Sequence, residues 1–232
     1  MLNDLTVLIV TWKSDGVIEN LLKKIPDLNS VIIENSNNAK FKKNIEQKFK
    51  KTKCILTGDN RGFGSALNLG FKKIKSKYYL ILNPDIEIKK STIKKLYNYL
   101  KKYEDISVIA PSTVNDKGNL YVRHGNFKFI NPIKHKDKNL ISVGYVSGHA
   151  FLIKKEILSK IGYFDENIFL NFEEWDLFFR VVNTGGKICV IKNIFAKHHE
   201  GKSCMESPLE ADIALKWHYG WNYYYFYKKN YN

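Results

Sequence analysis

Cysteine and arginine are scarce in this chain, and it has no long apolar run. Three cysteines stand among 232 residues (Cys54, Cys189 and Cys204), far apart and without a Cys-x-x-Cys pair. That odd number and wide spacing argue against a disulfide framework and against a cysteine zinc site, and they favour a reducing compartment. No apolar stretch approaches the ~18 residues that a membrane-spanning helix needs. The start, Met1-Leu2-Asn3-Asp4, runs straight into a strand-like segment and lacks the layout of a secretory signal.

Only three arginines (Arg61, Arg123 and Arg180) accompany 35 lysines, yet the net charge is +15. A basic balance of that size invites a nucleic-acid reading. Arginine, however, is the side chain that grips phosphates and base edges bidentately, and its scarcity argues against nucleic acid as a partner. The lysines are scattered among many Asn and Ile residues, as a compositional bias would leave them. Diffuse lysine charge suits an anionic membrane face or a diphosphate-bearing substrate better.

What is present is a globular composition. Hydrophobic residues at 44% and aromatics at 14% exclude a disordered chain. The length suits one α/β unit with a core that needs no staples. Residues 5–11 (LTVLIVT) form a continuous β-branched run, the pattern of a strand buried on both faces. Ser14 is placed to cap a helix in which Val17, Ile18, Leu21, Leu22 and Ile25 recur at helical spacing. Further strands are expected at 30–34, 54–57, 78–82 and 106–110. Helices are expected between them at about 39–50, at 65–74 and from a Ser91 cap to about 103. This alternation implies a parallel sheet covered by helices. After Pro111 the rhythm changes. Asn115 to Asn119 reads as a hairpin turn, 143–153 as a strand, 154–161 as a helix stopped by Gly162, 173–183 as a helix and 187–191 as a last strand. The tail from Trp217 to Tyr231 is aromatic and basic.

Four constellations can carry chemistry. Asn83-Pro84-Asp85 ends the fourth strand, where open α/β sheets bind ligands. A carboxylate there can hold a divalent cation, although Asn-Pro-Asp is also ordinary turn chemistry. Gly62 and Gly64 allow close backbone approach before a helix N-terminus, a setting for anions, or else a turn and a tightly packed helix through Gly70. Glu173, Glu174 and Asp176 open an apolar helix, where negative charge is favoured. Asp176 and Arg180 are four apart and can pair. One acid can therefore be structural while another faces a ligand. His198 and His199 follow the last strand, as a metal ligand or as hydrogen-bonded structural residues.

The order of these motifs is more telling than any one of them. The chain runs from Asn60-x-Gly62-Phe63-Gly64-x-Ala66-x-Asn68-x-Gly70 through Leu82-Asn83-Pro84-Asp85 to Gly162-x-Phe164-Asp165-Glu166. Phe172-Glu173-Glu174-x-Asp176-Leu177-x-x-Arg180 follows, then His198 with Ser203. Over residues 5–205 this pattern resembles the family 2 inverting glycosyltransferases of the GT-A fold, and within them the rhamnosyltransferase-like bacterial branch.

The resemblance implies an α/β fold with a mixed, mainly parallel sheet flanked by helices in a single domain. Residues 1–205 would form the catalytic unit, with 1–112 as its nucleotide-sugar-binding half and 113–205 as its acceptor and catalytic half. Residues 206–232 would form an aromatic, basic helix or tail. The implied activity is transfer of a hexosyl or rhamnosyl group from a nucleoside-diphosphate sugar (UDP or dTDP) to a glycan or lipid-linked acceptor of surface polysaccharide. Asp85 and His198 would hold a divalent cation, Mn²⁺ or Mg²⁺. Thr11, Glu34, Asn35, Gly62, Asn68 and Asn83 would line the donor site. Glu174 would be the catalytic base and Glu173 its substitute. The expected location is the cytoplasm, with the tail in peripheral contact with the inner face of the cytoplasmic membrane or packed against the domain.

The residue types fit that chemistry. A nucleoside-diphosphate leaving group develops charge that a cation offsets. A sugar hydroxyl is a poor nucleophile until a carboxylate takes its proton. Several positions depart from the family's habit. Trp12-Lys13 stands for Tyr-Asn, Glu34 for Asp, Glu174 for a shorter Asp, and His149 for a small residue, which would bring its ring against the acceptor or donor sugar. The rival reading is a non-catalytic nucleotide-sugar or nucleic-acid binder, which need not keep Asp85, Glu174 and His198 together.

Overall fold

The computed structural model describes residues 2–121, 124–127, 135–199 and 208–231; Arg123, Ser203 and Cys204 lie outside them. The first half alternates strands and helices. It contains β1 (Leu5–Thr11), α1 (Asp15–Lys24), β2 (Ser30–Glu34), α2 (Ala39–Lys48), β3 (Thr52–Leu56), α3 (Phe63–Lys73), β4 (Tyr78–Leu82), β5 (Ile86–Glu87), α4 (Lys90–Lys102) and β6 (Ile106–Val114). The second half is more irregular: β7 (Leu120–Tyr121), β8 (His124–Gly125), β9 (Leu140–Val143), β10 (Tyr145–Val146), β11 (Ala150–Lys154), α5 (Lys155–Ile161), α6 (Glu173–Asn183), β12 (Lys187–His198) and α7 (Pro208–Tyr231).

The main sheet runs β3-β2-β1-β4-β11-β6-β12-β5, with β7 and β9 attached at its far side. Strands β3, β2, β1 and β4 are parallel, and β1, β2 and β4 are the strands buried almost throughout, as in a sheet covered on both faces. The late strand β11 then slots between β4 and β6, antiparallel to both, so the sheet is mixed. Val7 and Ile9 pack with α1, α2 and α4 on one face. Leu8, Ile81 and Phe151 pack with α3, α5 and α6 on the other.

Several elements differ from expectation, each for a local reason. The run at 143–153 is three strands. Gly144 donates its N–H to Gly125 (2.7 Å), which draws β10 into a separate pair with β8. The last strand continues to His198 because a register shift between Ile191 and Phe195 carries it past exposed Lys192 and Asn193. Ser91 lies inside α4, whose N-cap is Lys89. Ser14 does stand at the N-cap of α1 but makes no capping bond; its hydroxyl instead donates to the Trp12 carbonyl (3.1 Å).

Helix α7 docks against the α6 region. Phe226 is fully buried and sits with Phe127, Ile168, Phe172 and Phe179 in a third apolar cluster. Lys229 reaches both Asp165 (2.7 Å) and Asp176 (2.6 Å). The opposite face of α7 exposes Ile213, Trp217, Trp221 and Tyr224, spaced four, four and three residues apart and so on one stripe. Among the described residues, no helix is long and apolar enough to cross a membrane.

Candidate active site

The carboxyl ends of β1, β2 and β4 converge with the N-terminus of α6. At the first of these, the Thr11 hydroxyl donates to the Glu34 carboxylate (2.9 Å), and both side chains are buried. The other Glu34 oxygen accepts from the Ser36 N–H (2.6 Å) and the Ser36 hydroxyl. Asn35 donates to Asn60 Oδ1 (2.9 Å) and to the Gly62 carbonyl (3.1 Å), and it accepts from the Arg61 N–H (3.1 Å). Thr11, Glu34, Asn35 and Gly62 therefore form one bonded edge. Gly62 has φ +77°, and a Cβ there would sit 2.1 Å from the Phe169 carbonyl oxygen, so only glycine fits. Asn68 lies deeper. Its amide donates to the Phe164 carbonyl (2.9 Å) and Glu166 (3.0 Å), and it accepts from the Phe164 N–H (2.9 Å). It clips α3 to the segment before α6.

The Asn83-Pro84-Asp85 turn is anchored through its backbone. The Asn83 N–H donates to the His149 carbonyl (2.8 Å), and the Asp85 carbonyl accepts from the His199 N–H (3.0 Å). The Asp85 side chain is 1% exposed, and neither of its oxygens accepts a hydrogen bond from the described residues. His198 Nε2 lies 3.3 Å from Asp85 Oδ1. A buried carboxylate without donors is costly unless a positive charge balances it. A hard oxygen ligand beside an imidazole fits a divalent cation. Among the described residues, no set of three or more His, Cys, Asp or Glu side chains converges. His199 turns away to Asp116 (2.5 Å) and Glu87 (3.3 Å).

His149 has both ring nitrogens engaged. Its Nε2 bonds with the Thr113 hydroxyl (2.7 Å) and its Nδ1 with the Ser147 hydroxyl (2.8 Å). Its ring stacks on that of His198, with centroids 4.6 Å apart and planes at 17°.

The two glutamates at the start of α6 have different surroundings. Glu173 is buried, and its carboxyl is pushed well above the usual range, first by burial and then by the charge of Glu174. Glu174 is also raised by burial, partly opposed by backbone N–H groups that include that of Gly148. Glu174 lines a cavity of about 310 Å³, together with Tyr145, Ser147, Asn171, Trp175 and Tyr219. Asp176 is the structural acid: Arg180 holds it at 2.9 Å, and the same guanidinium donates to the carbonyls of Ile161 (2.8 Å) and Tyr163 (2.7 Å).

Three features here carry no motif in the sequence. Asn171 and Phe172 both adopt positive φ (65° and 70°) just before α6. Asn222 of α7 donates to the carbonyls of Leu170 (2.7 Å) and Asn171 (3.2 Å). Tyr219, also on α7, supplies a wall of the cavity.

The family model described as glycosyl transferase family 2 matches residues 7–162. A low-salt glycan biosynthesis hexosyltransferase, Agl10 of Haloferax volcanii, is 27% identical over 196 residues, which cover 78% of this chain and 62% of that protein. An N-acetylglucosaminyl-diphospho-decaprenol L-rhamnosyltransferase of Mycobacterium tuberculosis is 20% identical over 194 residues, covering 70% of this chain and 63% of that protein. The chain thus spans less than two thirds of the length of either relative. Among solved structures, the mannosyltransferase PcManGT from Pyrobaculum calidifontis, in complex with GDP-Man and Mn²⁺, superposes with a TM-score of 0.68 at 13% identity. That match covers 92% of this chain and 60% of the other, and it shows a shared fold.

Proposed function

The chain belongs to glycosyl transferase family 2, and from that premise we propose that it transfers a hexosyl or rhamnosyl group, with inversion, from a nucleoside-diphosphate sugar to a glycan or lipid-linked acceptor. The observation that carries this reading is Asp85, a buried carboxylate with no hydrogen-bond donor among the described residues and with His198 beside it. Asp85 and His198 would hold Mn²⁺ or Mg²⁺, which when bound offsets charge on the leaving diphosphate. The bonded edge of Thr11, Glu34, Asn35 and Gly62 would seat the nucleoside, with Asn83 beside the diphosphate; Asn68 would support this pocket from behind.

The acceptor enters the cavity that Glu174 lines. Its hydroxyl gives its proton to Glu174 while its oxygen attacks the anomeric carbon. The bond to the diphosphate breaks on the opposite face, and configuration inverts in one displacement. Burial raises the Glu174 carboxyl, which makes it a stronger base than an exposed glutamate. Transfer is therefore expected to rise with pH through that raised value, as Glu174 ionises. Glu173, which is not among the residues lining this cavity, is the lesser candidate for base.

The outward stripe of α7 supports peripheral contact with an anionic membrane surface, the inner face of the cytoplasmic membrane, where a lipid-linked acceptor would be held.

The test is a panel of UDP-, dTDP- and GDP-sugars with Mn²⁺, read by thermal stabilisation and by nucleoside-diphosphate release. One donor should raise the melting temperature of the wild type. Asp85→Ala should lose that shift, and Glu174→Gln should keep it while losing transfer. Full transfer by either variant would overturn the assignment.

A further inference from the structure

We propose that His149 is a positioning residue for the cation site, fixing His198 in the orientation that faces Asp85. This inference rests on the reading of Asp85 and His198 as cation ligands. His149 meets that site twice. Its backbone carbonyl anchors the turn that carries Asp85, through the Asn83 N–H. Its ring lies flat against the His198 ring at 4.6 Å.

Two hydroxyls on separate segments fix the plane of that ring. Thr113 in β6 holds Nε2, and Ser147, two residues before His149, holds Nδ1. With both nitrogens engaged at the ring edge, the π-face is what His149 presents to His198. The two rings come from strands that flank β6 on either side: His149 immediately precedes β11, and His198 ends β12. A ligand imidazole so backed cannot swing about its Cα–Cβ bond without losing the stack. Groups that orient a metal-binding histidine commonly govern metal affinity as well as the ligand itself does. Where the resemblance leads one to expect a small residue, this chain carries His149, and its ring lies against that of His198.

The experiment is a Mn²⁺ titration of the full chain, followed by water-proton relaxation, in the wild type and in Asp85→Ala, His149→Ala, His149→Gln and His149→Phe. Every His149 variant keeps the backbone carbonyl that anchors Asn83. If the ring face matters, Ala and Gln weaken Mn²⁺ binding by about tenfold, while Phe, which keeps a ring face but not the bonds from Thr113 and Ser147, loses less than either. Thermal unfolding reports whether each variant is folded. Should Ala prove unfolded, the comparison of Gln with Phe still decides. Wild-type affinity in Ala or Gln would overturn the proposal and leave the cation site standing, provided Asp85→Ala has lost the metal. Unchanged affinity in Asp85→Ala would overturn the cation reading itself, and the role of His149 with it.

Discussion

Glu173 and Glu174 are adjacent in sequence, yet a quarter turn of helix gives them different surroundings. Both are raised by burial, and Glu173 additionally by the charge of its neighbour. A carboxyl raised in the folded state contributes stability that is present at acid pH and is lost as pH rises through the folded value. Glu173→Gln removes that loss. The variant should melt at a higher temperature than the wild type at neutral pH and at nearly the same temperature where Glu173 is protonated in both states. Calorimetry across that range checks the sign. Asp85, Glu173, Glu174 and His198 were legible as candidates only through the order of motifs that resembles the family 2 glycosyltransferases, since each motif alone also reads as a turn, a helix terminus or a structural histidine. The engagement of His149 was not legible, because Thr113 and Ser147 approach it only once β6 and the 147–149 turn are folded together. The same holds for Asn68, whose partners Phe164 and Glu166 are nearly a hundred residues away.

Among the elements, the strands buried on both faces were the most legible. Residues 5–11, 30–34 and 78–82 are β1, β2 and β4 as expected, and 173–183 is α6. Boundaries failed where a glycine or a polar pair conceals the true course, as at Gly144 and at Lys192-Asn193. The N-terminus of α6 failed differently. Two consecutive positive-φ residues without glycine are costly, and nothing local announces them. They are held by packing of Phe172 in the third cluster and by Asn222 bonding to the carbonyls at 170 and 171. Asn222→Ala should cost about 1–3 kcal/mol, the penalty for stranding such groups. It should lower kcat through misplacement of Glu174 while leaving donor affinity unchanged. Phe226→Ala, which empties the centre of that cluster, should cost about 3–5 kcal/mol in urea unfolding.

For the whole molecule, the +15 charge and the α7 stripe belong to one expectation. Trp217 is 72% exposed and Trp221 57%, with Lys216 and Lys228 nearby on the same helix. Tryptophan at an interface beside lysine is the pattern of a surface-bound helix. Sedimentation with phosphatidylglycerol vesicles should therefore bring down the wild type, and less of it as salt rises. A Trp217→Ser, Trp221→Ser variant should remain in the supernatant at salt concentrations where the wild type still pellets. Binding that is insensitive to both salt and these substitutions would exclude this face.

Strand β11 carries a consequence in time as well as in space. It occupies the middle of the sheet, between β4 and β6, yet it is made from residues 150–154, long after its neighbours have left the ribosome. Until those residues emerge, β4 and β6 present open edges towards each other, the kind of exposed strand that recruits wrong partners. A nascent chain cut at residue 112 should accordingly be protease-sensitive and prone to clump. One extended through α5 should gain protection, because β11 then covers the facing edges of β4 and β6, and it should gain more once β12 covers the other edge of β6.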